Sequence, residues 1–113
     1  MHEIGMLYQA ADLAIKYADE NNADDVKYIT FEIGELSGAL PHVFTEYFPM
    51  VAEKYPKLKN AEIKIREVSG EGLCSECSCL YNVMRQEGTC PRCGSKNKKI
   101  LGGQDVKVIN IGI

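Results

Sequence analysis

Four cysteines in two close pairs, and a histidine beside the first methionine, are the side chains best suited to chemistry in this 113-residue chain. The cysteines read Cys74-Ser75-Glu76-Cys77, then twelve residues, then Cys90-Pro91-Arg92-Cys93-Gly94. Two residues between thiols let one tight turn aim both at the same ion. Pro91 fixes φ before the turn closes, and Gly94 accepts the backbone conformation that brings N–H groups to sulfur. Two such turns face to face make a tetrahedral sulfur cage, the arrangement that suits Zn2+. With all four positions filled by protein, the ion has no place for water, so its work is to fold a module too small for a core of its own. A rubredoxin-like iron site is the competing metal reading. A packed cluster of unliganded thiols is the bland one. Cys79, the odd fifth cysteine, reads as a packed neighbour of the first turn, with a C-x-C ligand pair or a redox or transfer thiol as alternatives.

His2 occupies a chemically special position. Initiator methionine is removed before small residues, and His is large, so Met1 stays with a free α-amine. That amine, the His2 amide nitrogen and the His2 imidazole can close fused chelate rings on one ion, and the Glu3 amide nitrogen can complete the set. Four nitrogens in a plane suit Ni(II) or Cu(II). The bland alternative is a solvated histidine at a loose chain start. His42, which follows Pro41, reads as a surface residue before it reads as a ligand.

These groups need a scaffold. Residues 4–20 place Ile4, Leu7, Tyr8, Ala11, Ile15 and Ala18 at helical spacing, and Asn21-Asn22 is a stop signal. Residues 26–33 alternate through Ile29, Phe31 and Ile33 and predict a strand. Gly34-Glu35-Leu36-Ser37-Gly38 is turn-rich. Residues 41–54 return to helical spacing, with Pro41 at a good first position and Pro49 predicting a kink or break near residue 48. Residues 61–68 and 105–111 predict two more strands. The cysteine segment lies between them, edged by glycines. The expectation is an α/β (α+β) fold: two helices on a three-stranded sheet, formed by residues 1–69 and 101–113, with a zinc-ribbon-like four-cysteine module inserted at 70–100.

Composition is that of a globular chain, 45% hydrophobic and 26% charged, with net charge −3. Residues 1–68 carry 7 basic and 12 acidic side chains and residues 69–113 carry 6 and 4. Attraction to nucleic acid is not the default at this charge. The Arg92, Lys96, Lys98, Lys99 cluster reads first as a solvated face. No run approaches the roughly 18 apolar residues of a membrane helix, and no signal peptide opens the chain. Five clustered cysteines suit a reducing compartment, so the expected location is the cytoplasm.

Met1-His2-Glu3 opening straight into a helix, Ile33-Gly34-Glu35-Leu36-Ser37-Gly38 after the first strand, the paired C-x-x-C turns and a closing strand after Gly102-Gly103 together resemble the HypA/HybF family of hydrogenase nickel incorporation proteins. The resemblance runs through the whole chain in order. It implies a nickel metallochaperone, not an enzyme, acting beside a HypB-type GTPase to load the [NiFe] hydrogenase large subunit, and in some bacteria urease. It places the nickel ligands on Met1, His2 and Glu3, and the zinc ligands on Cys74, Cys77, Cys90 and Cys93. Some relatives carry an acidic residue just past the I-G-E loop, where this chain has Leu40 and Pro41, so His42 is the remaining side chain there. Some also carry a histidine in the zinc module, where this chain has Lys96-Asn97-Lys98-Lys99. A monomer or weak homodimer is expected. The rival function is a zinc-ribbon module that binds protein or nucleic acid.

Overall fold

The computed structural model describes the backbone of residues 2–113 and the side chains of residues 3–113. The chain divides into two compact units. One comprises residues 2–32, 39–66 and 107–113 of the described part, and the other Ile33–Gly38 with Glu67–Val106.

In the first unit, helix α1 spans His2–Glu20. Leu7, Ala10, Ala11, Ala14 and Ala18 are its buried face. Four of those five are alanines, which cost no side-chain entropy and let the helix lie close to its neighbours. The stop signal works as read. Asn22 adopts a left-handed φ of 54°, and the Ala23 N–H reaches back to the Ala18 carbonyl at 2.8 Å, a left-handed helix ending.

Strand β1 follows at Tyr28–Gly34, then α2 at Pro41–Ala52, a 3-10 turn at Pro56–Leu58 and β2 at Glu62–Val68. The closing strand, β6, is Val106–Gly112. The sheet order is β2-β1-β6. Glu62 N–H donates to the Lys27 carbonyl at the start of β1, and Glu35 N–H to the Val68 carbonyl at its end. That makes β1 and β2 parallel, with α2 in the crossover between them. Lys27 N–H bonds the Gly112 carbonyl and Gly34 N–H bonds the Asp105 carbonyl, so β6 runs antiparallel to β1. Ile29 and Phe31 carry the buried face of β1, and the Phe31 and Phe44 rings meet at 4.9 Å. Three polar ties join α1 to the far end of α2 and the turn after it: Tyr8 to Lys54, Asp12 to Tyr55 and Asp19 to Lys57.

Of the kink or break expected at Pro49, the break does not occur. The helix is continuous to Ala52. Pro49 lies in the last turn, and the Thr45 carbonyl that loses its partner belongs to an exposed residue, so water can replace the missing bond.

The second unit holds a three-stranded antiparallel sheet, β4-β3-β5, from Glu71–Cys74 (β3), Leu80–Asn82 (β4) and Lys98–Gly102 (β5). The loop Ile33–Gly38 is locked to its base. Leu36 N–H donates to the Gly103 carbonyl at 2.7 Å. A Cβ on Gly34 would lie 2.2 Å from that carbonyl oxygen, and Gly103 itself has φ +86°. Both positions therefore require glycine. Glu35 finishes the lock: its Oε1 accepts from the Gly70 N–H at 2.9 Å and from the Asn82 amide at 3.0 Å. Among the described residues, no helix is long and apolar enough to cross a membrane.

Candidate metal centres

The two C-x-x-C segments fold into the same turn twice. Ser78 N–H donates to the Cys74 carbonyl at 3.0 Å, and Gly94 N–H to the Cys90 carbonyl at 2.9 Å. Each turn is then shut from outside. Cys74 N–H donates to the Cys79 carbonyl and Cys90 N–H to the Ser95 carbonyl, both at 2.9 Å. The residue after the second cysteine is left-handed in both, Ser78 at φ 61° and Gly94 at φ 78°.

The repetition brings all four sulfurs within 4.8 Å of one another. Cys74 and Cys93 Sγ are 3.5 Å apart, and Cys77 and Cys90 Sγ are 3.6 Å apart. Sulfurs bound at about 2.3 Å around one tetrahedral ion stand about 3.8 Å from each other. Spacing and donor chemistry thus fit a zinc-type cage. β3 delivers Cys74, and the other three ligands come from the turns that follow β3 and precede β5.

The electrostatics point the same way. Burial works to raise the Cys90 thiol, but the N–H groups of Cys93 and Arg92, with the Cys77 and Cys74 thiols, bring it down to about 6. The Arg92 N–H lies 3.4 Å from the Cys90 sulfur. For Cys93, the Ser95 N–H works to lower the thiol, yet hydrogen bonding to Cys74, burial, and the Cys77 and Cys90 thiols push it up to about 12. Four thiols this close cannot all ionise alone, and a dication in their midst removes the conflict.

The core of the module is little more than this cage. Cys74, Tyr81 and Cys90 are buried together, with Cys77, Cys79 and Val83 packed around them. Cys79 lies outside the cage. Its sulfur donates to the Leu80 carbonyl at 3.5 Å and its own carbonyl closes the first turn, the task Ser95 performs in the second. The sequence signal for that task was the matching offset, five residues past the first cysteine of each pair. Tyr81 is buried, so its ring is not offered for stacking on a nucleic-acid base beside the basic cluster. Within that cluster, Lys98 Nζ donates to the Lys96 carbonyl at 2.7 Å.

The other candidate centre is at the start of the chain. Met1 and the His2 imidazole lie outside the described residues. The His2 backbone opens α1. Glu3 is described and buried, its Oε2 accepting from the Leu40 N–H at 3.1 Å. Sequence reasoning picked Glu3 for its backbone nitrogen and missed that side-chain contact, because no local pattern signals a partner 37 residues away. His42 is exposed on the first turn of α2.

Comparison with known proteins gives a consistent picture. A sequence model of a family described as hydrogenase/urease nickel incorporation, metallochaperone, HypA matches residues 1–113. The hydrogenase maturation factor HypA of Parabacteroides distasonis is 35% identical over 114 residues, covering 100% of this chain and 97% of that protein. Its counterpart from Aquifex aeolicus is 34% identical over 112 residues, covering 94% and 91%. A solution structure of a HypA protein superposes with a TM-score of 0.72 at 25% identity, covering 100% of this chain and 96% of that one. The solution structure of the Ni metallochaperone HypA from Helicobacter pylori shares the fold, with a TM-score of 0.66 at 24% identity over 98% of this chain and 96% of that one.

Proposed function

Because this chain belongs to the HypA family of hydrogenase/urease nickel incorporation proteins, metallochaperones rather than enzymes, we propose that it carries its nickel on the first three residues. The donors are the Met1 amine, the His2 amide and imidazole nitrogens, and the Glu3 amide nitrogen. The observation that carries the reading is that α1 begins at His2. The first N–H groups of a helix point out of its N-terminal end and have no carbonyl partner in the preceding turn, and His2 and Glu3 are the first two residues of α1. Helical backbone also keeps ψ near about −42°. The His2 and Glu3 nitrogens then lie on the same side of the chain, as a five-membered chelate ring needs, which extended backbone does not provide.

A terminal site suits delivery, since donors can leave the ion one at a time. The ion passes to the [NiFe] hydrogenase large subunit with the help of a HypB-type GTPase, and urease is the second client. The planar nitrogen set prefers Cu(II) to Ni(II) on intrinsic affinity, so selection of nickel rests on partners and metal supply. The four-cysteine cage holds Zn2+ permanently through Cys74, Cys77, Cys90 and Cys93, and shapes the module around it.

The test is metal analysis of the untagged protein with Ni(II) titration followed by absorbance. One tightly held zinc and one exchangeable, yellow, diamagnetic nickel per chain are expected. His2→Ala should abolish nickel uptake and leave zinc in place, and an N-terminal tag should do the same by turning the Met1 amine into an amide. Uptake should weaken as pH falls through about 6.5, where the imidazole takes a proton. Equal nickel uptake by the wild type and His2→Ala would falsify the assignment.

A further inference from the structure

Glu3 is, among the described residues, the charged side chain that the fold buries, 6% exposed. A carboxylate taken from water is costly unless hydrogen bonds replace the water. One of its partners is the Leu40 N–H, 3.1 Å from Oε2. Leu40 is the N-cap residue of α2, makes no side-chain cap, and is followed at once by Pro41. Helix starts carry unpartnered N–H groups and a partial positive charge, and usually recruit a nearby Ser, Thr, Asp or Asn oxygen. Here the oxygen comes instead from the third residue of the chain, in the first turn of α1.

We infer that Glu3 is a positioning residue of the nickel site. Its carboxylate, bonded to Leu40 at the start of α2, holds the Glu3 backbone nitrogen in place for the metal and does not itself coordinate. The inference rests on the N-terminal nickel reading above. It follows from what chelation by a chain terminus requires. Ordering a free end costs conformational entropy at the moment of binding. Anchoring the last donor residue through its side chain moves part of that cost into folding. The planar nitrogen set also leaves no corner for a carboxylate oxygen.

The side chain can be tested apart from the ligand, because any residue other than proline at position 3 still supplies a backbone N–H. Untagged wild type, Glu3→Ala, Glu3→Gln and His2→Ala are titrated with Ni(II) by absorbance and calorimetry. Exchange of the Leu40 amide is followed by NMR with and without metal. Glu3→Ala should keep the absorption band of the wild type, bind nickel about tenfold more weakly, and exchange its Leu40 amide faster even without metal. Glu3→Gln keeps an oxygen that can accept from Leu40, and should stay within about threefold of the wild type. Glu3→Leu, of similar volume and with no acceptor, stands in if alanine loosens the fold by circular dichroism. A changed band in Glu3→Ala makes the carboxylate a ligand and overturns the inference. So does wild-type affinity in that variant. Nickel binding indifferent to His2→Ala defeats the underlying reading instead, and is told apart because the Leu40 amide would still respond to Glu3→Ala.

Discussion

Ser78 and Gly94 stand at the same step of two equivalent turns, and both are left-handed. Glycine reaches that conformation freely, while serine is strained there. Ser78→Gly should therefore stabilise the metal-loaded protein by about 1 kcal/mol, seen as a rise in the thermal midpoint with unchanged zinc content. A fall would mean that Ser78 has a task its geometry does not reveal. At this scale the sequence was informative wherever chemistry depends on neighbours along the chain. Two residues between cysteines, or an imidazole on the residue next to a free amine, already define a chelate. The Glu3–Leu40 bond and the Glu35 contacts with Gly70 and Asn82 span 37, 35 and 47 residues, and nothing local could announce them.

Among the elements, the two helices and the three long strands were legible because each repeats its apolar residues with its own period. The strands of the cysteine module were not. They run to 3–5 residues, and the β3–β5 pairing shifts register at Glu71/Gly72, too little length for an alternation to show. What holds the base of that module is the Glu35 lock. The Gly70 N–H and the Asn82 amide keep the Glu35 carboxyl below its ordinary 4.5, against a smaller opposing effect of burial and with help from Arg85. A group lowered in the folded state stabilises fully above its ordinary value, and that contribution is lost as pH falls through the lowered one. Glu35→Gln should thus melt earlier than the wild type at pH 7, and the gap should close as the pH is taken well below 4.5; a gap that persists in acid would assign the difference to packing. Gly34→Ala should be harsher. Its Cβ would meet the Gly103 carbonyl oxygen at 2.2 Å, backbone against backbone, and a loss above about 2 kcal/mol is expected in chemical denaturation.

For the molecule as a whole, the two units are stabilised by different means. The first has an apolar core with Phe31, Phe44, Leu7, Ile29, Val51 and Leu58 fully buried. In the second, two of the three buried side chains at the centre are cysteines of the four-sulfur cluster. Small domains without an adequate core need a metal or a disulfide to fold. Stripping the metal with a strong chelator should unfold the β3–β5 sheet and leave α1 and α2 helical, as amide exchange and far-ultraviolet dichroism would report. Loss of all helical signal on chelation would show that the first unit leans on the second. The fold class could be read in advance because the apolar core obeys periodic patterns, whereas the module's strands of 3–5 residues are too short to show one.

The strand order β2-β1-β6 carries a genetic corollary. β2 runs parallel and β6 antiparallel to the strand between them, so the chain departs the sheet after Val68 and rejoins it before Val106 at the same end, with only one strand's width intervening. Adjacent strands are spaced about 4.8 Å apart, so a graft of a few glycines and serines bridges the gap of about 10 Å. Removing residues 69 to 104 leaves the ladder bonds at Val68 and Asp105 in place and costs the loop Ile33–Gly38 its Gly70, Asn82 and Gly103 partners. Excising this segment tests whether the leading residues capture their ion unaided, and exchanging it between relatives would transplant whatever recognition it confers.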